Sequence, residues 1–423
     1  MRVLVVGGGG REHALIWKLA GSGEVEKIFC APGNAGIASL AECVPIGVDE
    51  ITRLRDFARE QGVGLTVVGP EAPLVEGIAD LFREENMLIF GPGSSGARLE
   101  GSKVWAKCVM EKYGIPSAPF AVFNNARAAG DYLDKVAYPV VVKADGLAAG
   151  KGVVVADNQS AAHEAVQEIM VKKVFGRAGA QIVVEECLQG EEISLFAVTD
   201  GNTFFMLPSA QDHKAANEGD RGPNTGGMGA YSPTGILTLE LLEQAKRNIF
   251  TPVIQGLREE GIDYRGVLYA GCMLTAEGLK VLEFNARFGD PEAQVILPRL
   301  SSPLLPLLLH AAQGNLAALE PPRWSAEAAV CVVMASGGYP GKYETGKVIH
   351  GLKEAQAEKA VVFHAGTARR DNMLVSNGGR VLGITAWDTD LKEAQKKAYL
   401  LAEKIRFEGA YYRRDIGRRA LSR

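Results

Sequence analysis

Residues 281–292 read VLEFNARFGDPE. In an extended strand successive side chains alternate between two faces. That alternation turns Glu283, Asn285 and Arg287 one way and Leu282, Phe284 and Ala286 the other. The second set is apolar and suits a core. The first presents a carboxylate, an amide oxygen and a guanidinium to a cleft. Two hard oxygen donors about 7 Å apart along a strand suit a magnesium ion that already holds nucleotide phosphates. Arg287 is placed to clamp a carboxylate or phosphate with two prongs. The same pattern would also describe a half-exposed edge strand with solvated polar residues, so the neighbouring segments have to decide.

Immediately upstream, residues 266–274 are a second apolar run, and together the two read as a hairpin. Before them lies PSAQDHKAANEGDRGPNTGGMGAYSP, residues 208–233. A segment this long without regular structure is uncommon unless it is functional or disordered. Asp212, His213, Lys214, Asn224 and Thr225 make it a candidate binding loop. QIVVEE, residues 181–186, reads as a strand ending in a short linker, where a backbone N–H and C=O pair can meet an adenine edge. Glu192 follows, placed to accept ribose hydroxyls.

Residues 138–156, YPVVVKADGLAAGKGVVVA, are two β-branched runs around a loop of Gly and Ala, so strand, flexible loop, strand. This is not a Walker A loop, because Gly152 follows Lys151 and a strand follows where a helix is required. Such a loop can fold over phosphates as a lid of backbone donors. Lys143 ends an apolar strand, where an unpaired ammonium is costly. It needs an anion: a nucleotide phosphate, or a structural acid such as Asp145. GSKVWAK, residues 101–107, reads as a helix start capped by Ser102, with Lys103 able to reach a cleft.

The first 101 residues alternate strands and helices: residues 3–6, 27–30 and 65–68 are strands, and 52–61 a helix. This order implies a doubly wound parallel sheet, whose ligands bind at the carboxyl ends of its strands. The loops there are GGGGREHA, APGNAG (31–36) and GPEAPL (69–74). The first departs from the dinucleotide fingerprint at Glu12, and the second strand lacks the acidic ribose ligand. Free N–H groups at the helix start could still hold a monophosphate. Past residue 324 the pattern becomes a small α+β unit with a basic tail, 413–423, expected to be solvated surface.

The 423 residues exceed one ordinary core, so three or more units are expected. A net charge of −4 argues against nucleic-acid binding by a general basic field, so any phosphate site is local. Six dispersed cysteines without a CxxC pair fit reduced cytosolic thiols. The first apolar run, VLVV, is too short for a signal peptide, and residues 303–309 are too short to span a bilayer.

A lysine strand with a glycine lid, a Glu-Glu linker strand and a strand ending Glu-x-Asn, in that order, resemble the ATP-grasp superfamily. GGGGREHA, APGNAG, GPEAPL, GLAAGKGV, DHK…GPNTGGMGAYSP and EFNARFGDPE, with a terminal DIG at 415–417, resemble its glycinamide ribonucleotide synthetases, the phosphoribosylamine–glycine ligases, along the whole chain. The resemblance implies an α/β and α+β multidomain fold. Residues 1–101 would be the substrate-binding parallel-sheet domain. Residues 102–323 would be an ATP-grasp core of two sheets clasping ATP, with 124–190 as its mobile lid, and 324–423 a C-terminal α+β domain.

By matching positions the resemblance assigns Lys103, Lys143 and the lid residues Gly146, Gly150, Lys151 and Gly152 to ATP phosphates. Glu185, Glu186 and Leu188 would bracket adenine, and Glu192 would take the ribose. Glu283 and Asn285 would hold Mg²⁺ or Mn²⁺. Arg287 would bind the glycine carboxylate, Asp212 its ammonium, and Lys214 the transferred phosphate. Gly9, Asn34 and Glu71 would face phosphoribosylamine, and Asn224, Thr225 and Gly226 would also bind substrate. The implied reaction joins glycine to 5-phosphoribosylamine through a glycyl phosphate. It would yield glycinamide ribonucleotide, ADP and phosphate in purine synthesis, from a cytoplasmic monomer acting on small molecules, without nucleic acid or membrane. The alternative is another ATP-grasp ligase or carboxylase of purine synthesis. Two departures stand out: Ala215 replaces the family's usual arginine after Asp-His-Lys, and residues 267–274 carry no metal-binding acid.

Overall fold

The computed structural model describes residues 1–148 and 152–422. Strands Glu42–Cys43, Lys27–Pro32, Arg2–Gly7, Leu65–Val68 and Ile89–Phe90 form, in that spatial order, a parallel five-stranded sheet. Val3, Leu4, Val5 and Val6 are wholly buried, as a continuous apolar run covered on both faces must be. The strand order reverses beside Arg2–Gly7, which opens the crevice at which such sheets bind ligands.

Two antiparallel four-stranded sheets follow. In the first, the order is Phe120–Phe123, Ile182–Glu186, Val140–Ala144, Val153–Ala156. One face packs on helices Ala126–Leu133 and Gln159–Val166 through Leu133, Val142, Val166 and Val184. The other carries Lys143 and Glu185. In the second, Phe204–Met206, Glu191–Thr199, Gly266–Thr275 and Gly278–Asn285 are neighbours in turn. This sheet shares a core with helices Lys103–Lys112 and Thr251–Glu259. The Lys143 ammonium donates to the Leu282 carbonyl at 3.1 Å and so ties one sheet to the other.

The C-terminal sheet runs Gln211–Asp212, Gly229–Ser232, Ala328–Ala335, Arg380–Asp388, Ala360–His364, with helix Leu391–Ala402 packed on it. Two of its strands come from the middle of the chain. Residues 208–233 are therefore not irregular, as the sequence led us to expect. They hold Gln211–Asp212 and Gly229–Ser232, and between these a hairpin of Ala215–Asn217 with Arg221–Asn224. A segment that passes between packed units must pair its peptide groups, and short strands do so. Two glycines make the passage possible. At Gly227 (φ +111°) a Cβ would meet Pro291 at 2.4 Å, and at Gly229 (φ +159°) the Cys331 carbonyl at 2.6 Å.

The tail also departs from expectation. Arg413 is fully buried, because its guanidinium is spent on Asp415, Asp220 and the Ala215 carbonyl.

Candidate functional site

The Gly278–Asn285 strand is where the two antiparallel sheets approach each other, but its alternation is interrupted. Gly271 pairs with Glu283 while Cys272 pairs with Val281, so Leu282 is an extra residue in a β-bulge. The expectation that Leu282 joins Phe284 and Ala286 in the core is thereby corrected. Val281 takes the core position at 0% exposure, and Leu282 turns to the cleft and offers its carbonyl to Lys143. Beyond the bulge Glu283 and Asn285 share a face as anticipated.

The cleft is lined by Lys103, Lys107, Lys143, Glu100, Leu282, Glu283 and Val183. Ser102 starts the Lys103–Lys112 helix by accepting the Trp105 N–H at 3.1 Å, and this sets Lys103 at the cleft edge. Lys107, four residues on, lies on the same helix face and is almost wholly buried. Both Lys107 and Lys143 pair with the Glu185 carboxylate. Asp145 does not partner Lys143. It accepts from the Ser102 hydroxyl at 2.9 Å and the Val104 N–H at 3.1 Å instead.

Burial pushes Glu283 up, but Lys103, Lys214, Lys143 and Arg287 together hold its carboxyl below the usual range, so it is ionised. Among the described residues, no hydrogen bond or ion pair engages the side chains of Glu283 or Asn285. An uncommitted carboxylate and amide on one strand face, beside lysines, fit a hard divalent cation. The facing residues Gly271 and Tyr269 add no acid. No group of three or more His, Cys, Asp or Glu spaced for a metal occurs among the described residues. Two protein oxygens suffice only for a cation that shares its shell with phosphates.

A second cluster lies alongside. Lys214 meets Glu192 at 2.8 Å and Asp212 at 3.7 Å. Burial, then the nearby Glu292 and Glu192, raise the Asp212 carboxyl to about 6 against the pull of Lys214. The Tyr269 hydroxyl donates to Glu292 at 2.7 Å and lies 2.9 Å from Ser194. Arg287 meets Glu100 at 2.8 Å and Glu71 at 3.3 Å, and Glu100 also accepts the Ala286 N–H at 2.7 Å. Burial opposes the Arg287 charge, yet the two carboxylates hold its guanidinium well above the ordinary range.

Glu186, the last residue of its strand, is exposed, and Leu188, in the linker beyond it, is half-buried. Gly146 lies just past strand Val140–Ala144, where a Cβ would meet Ala178 at 2.7 Å, and Gly152 precedes strand Val153–Ala156. Gly150 and Lys151 lie outside the described residues. Asn34 and Thr225 have their polar atoms committed to backbone. Asn34 bridges the Gly8 and His364 carbonyls at 2.9 Å each and accepts from Gly36 and Ile37. Thr225 ties Lys214 to Gly227, Gly226 donates to the Tyr339 hydroxyl, and Asn224 is exposed.

The Gly9 N–H donates to Glu12 at 2.6 Å, so the helix start expected to hold a monophosphate already faces a buried carboxylate. Gly69 makes room for it, since a Cβ there would lie 1.9 Å from Glu12. The dinucleotide fingerprint fails for that steric reason.

Four residues escaped sequence reasoning. Lys107 could have been found from its i, i+4 spacing to Lys103, and Glu292 from its place at the end of the 281–292 stretch. Glu100 and Arg380 carried no local signal. Arg380, on a C-terminal strand, donates to the Gly226 carbonyl at 2.7 Å, the Asp290 carbonyl at 2.8 Å and the Asp290 carboxylate at 3.0 Å.

In comparisons with known families, residues 1–100, 101–293 and 329–419 match the N, ATP-grasp (A) and C domain models of phosphoribosylglycinamide synthetase. The chain is 51% identical over 426 residues to a phosphoribosylamine–glycine ligase of Nostoc sp., with 100% of both chains covered. It is 50% identical over 416 residues to the enzyme of that name from Caldanaerobacter subterraneus, covering 98% and 99%. A crystal structure of phosphoribosylamine–glycine ligase from Thermotoga maritima aligns with a TM-score of 0.85 at 36% identity, over 98% of this chain and 100% of that one. The biotin carboxylase domain of Hydrogenobacter thermophilus 2-oxoglutarate carboxylase, solved with MgADP, ADP and bicarbonate, aligns at 0.72 with 17% identity, over 97% and 91%, and shares the fold.

Proposed function

The chain belongs to the phosphoribosylglycinamide synthetase family, and from that membership we propose how its residues divide the work of the reaction. It is an ATP-dependent ligase of purine biosynthesis that joins glycine to 5-phosphoribosylamine. A glycine carboxylate oxygen takes the γ-phosphoryl group of ATP, and ADP leaves. The amine of phosphoribosylamine then attacks the acyl carbon, the bond from that carbon to the phosphate oxygen breaks, and glycinamide ribonucleotide and phosphate are released.

Phosphoryl transfer to a carboxylate asks for positioning and charge neutralisation more than for a protein nucleophile. The observation that carries the assignment is the uncommitted Glu283–Asn285 pair, with Glu283 in the cleft beside Lys103 and Lys143. Those two oxygens hold the divalent cation, Mg²⁺ or Mn²⁺, which when bound neutralises the triphosphate. Lys103, Lys107 and Lys143 receive the phosphates, with residues 146–152 as the lid. Glu185, Glu186 and Leu188 flank adenine, and Glu192 the ribose. Arg287, held in place by Glu71 and Glu100, presents its remaining donors to the glycine carboxylate. Asp212 takes the glycine ammonium, and Lys214 stands by the transferred group. Phosphoribosylamine lies over Gly9, Asn34, Glu71 and residues 224–226.

In this reading residues 1–101 bind phosphoribosylamine and residues 102–323 are the catalytic core, with 124–190 the lid. Residues 324–423 close the site. No described helix is long and apolar enough to cross a membrane. The test is to incubate the protein with ATP, Mg²⁺, glycine and fresh phosphoribosylamine, omit each component in turn, and assay ADP. Release that persists without phosphoribosylamine but requires another acceptor would move the chain to a different ATP-grasp ligase.

A further inference from the structure

The end of the chain is built into the segment that carries Asp212 and Lys214. His213, between them, is 1% exposed, and its backbone N–H and C=O are both spent on the ladder to residues 228 and 229. The Gly417 N–H donates to its Nε2 at 3.1 Å. Since that nitrogen accepts, the ring proton sits on Nδ1, which faces Asp220 at 3.7 Å. Arg413 supplies a second tie. Its Nη1 donates to the Ala215 carbonyl at 2.9 Å, and its Nη2 to Asp220 at 3.0 Å and Asp415 at 2.7 Å. Asp415 in turn accepts the Gly219 N–H at 2.9 Å, and the Tyr411 hydroxyl donates to the Ala216 carbonyl at 3.0 Å.

We propose that the terminal segment, residues 411–419, is a positioning element of the ligase centre: it fixes His213 and Ala215, the residues bracketing Lys214 and following Asp212. This rests on the assignment of Asp212 and Lys214 to the reacting groups. Arg413 and His213 themselves touch no substrate and act through their neighbours. A buried guanidinium with three acceptors holds the backbone on one side of Lys214. The imidazole held by Gly417 holds it on the other. A shift of about 1 Å in the Lys214 ammonium is enough to lower turnover about a hundredfold, because the chemistry depends on alignment. Ion pairs on this segment that are merely structural would change the amount of folded protein and leave turnover per folded molecule untouched.

The test uses the full chain with Arg413→Met and Arg413→Lys. Nucleotide-binding sites are counted by titration with a non-hydrolysable ATP analogue, and kcat is expressed per site. Arg413→Met is expected to keep analogue affinity within about threefold of the parent and to lose kcat about tenfold or more. Arg413→Lys keeps a cation for the two aspartates but lacks the fork that also reaches Ala215, so its loss should be intermediate. Unchanged kcat per site in both variants overturns the proposal. If Arg413→Met does not fold, Arg413→Lys decides alone by the same criterion. Asp212→Asn and Lys214→Met are assayed in parallel. Full turnover in those two overturns the catalytic assignment, and the positioning role with it; loss there with none at Arg413 overturns the positioning role only.

Discussion

Lys143 and Glu185 meet as an ion pair diagonally across adjacent antiparallel strands, and both side chains are buried. Lys107 shares the same carboxylate, so two ammoniums are served by one anion, with Lys103 nearby. Burial draws Lys107 below the ordinary lysine range even with Glu185 opposing it. Two buried ammoniums thus share one carboxylate, and the triphosphate proposed to bind here would add negative charge beside them.

Glu185→Gln should therefore leave two buried ammoniums without their carboxylate and cost about 3–5 kcal/mol of stability. Saturating ATP should restore more stability to this variant than to the parent. Urea unfolding with and without ATP measures both effects, and equal ATP stabilisation in the two proteins would place the phosphates elsewhere.

Glu283→Gln removes the ionised half of the proposed cation pair without disturbing the core, since its neighbours Phe284 and Val281 hold the strand. Mg²⁺-dependent ADP release should drop about a hundredfold or more, with circular dichroism unchanged. Full activity at every Mg²⁺ concentration would remove the metal assignment.

Arg287→Lys keeps a charge but loses the fork that engages Glu71 and Glu100 together. The KM for glycine should rise about tenfold, and stability should fall by about 1–3 kcal/mol as Glu100 loses its best donor. Initial rates against glycine concentration, with the melting temperature, check the two arms. A KM that does not move would shift the carboxylate clamp to another residue.

Asp212 titrates in the fold near 6, above its ordinary 3.8, because burial disfavours its charge. The native state accordingly binds more protons than the unfolded chain between about pH 4 and 6. The contribution of Asp212 to stability is fully present below pH 4, declines as pH rises through that window and is constant above it. Asp212→Asn abolishes the effect, so its stability relative to the parent should improve between pH 4 and 7 by a few kcal/mol, on the order of two pKa units. If ionised Asp212 is the form that takes the glycine ammonium, the acid limb of kcat/KM should have a midpoint near 6. Parallel stability curves for the two proteins would show that Asp212 is not the group concerned.

The 281–292 stretch illustrates what was legible and what was not. Its strand, and the shared face of Glu283 and Asn285, follow from a period of two. The bulge at Leu282 does not, because it is set by pairing with Gly271 and Cys272 on another strand. Residues 208–233 were recognisable as unusual from length and composition. Their short strands depend on a sheet completed by residues 328–335, about a hundred positions away. Arg413 looked like surface charge, and its partner carbonyl at Ala215 is 198 residues distant.

Strand and helix order, the parallel first sheet, the lysines, the metal-type oxygens and the family signature were all local properties of the chain, readable because side-chain period, caps and glycine turns act over a few residues. Which acid meets which base was settled only when distant segments packed: Glu185 between two lysines, Glu100 under Arg287, the tail behind His213. Burial decides those pairings, since a charge removed from water must find its partner wherever the fold has brought one, and nothing in the neighbouring residues records where that is.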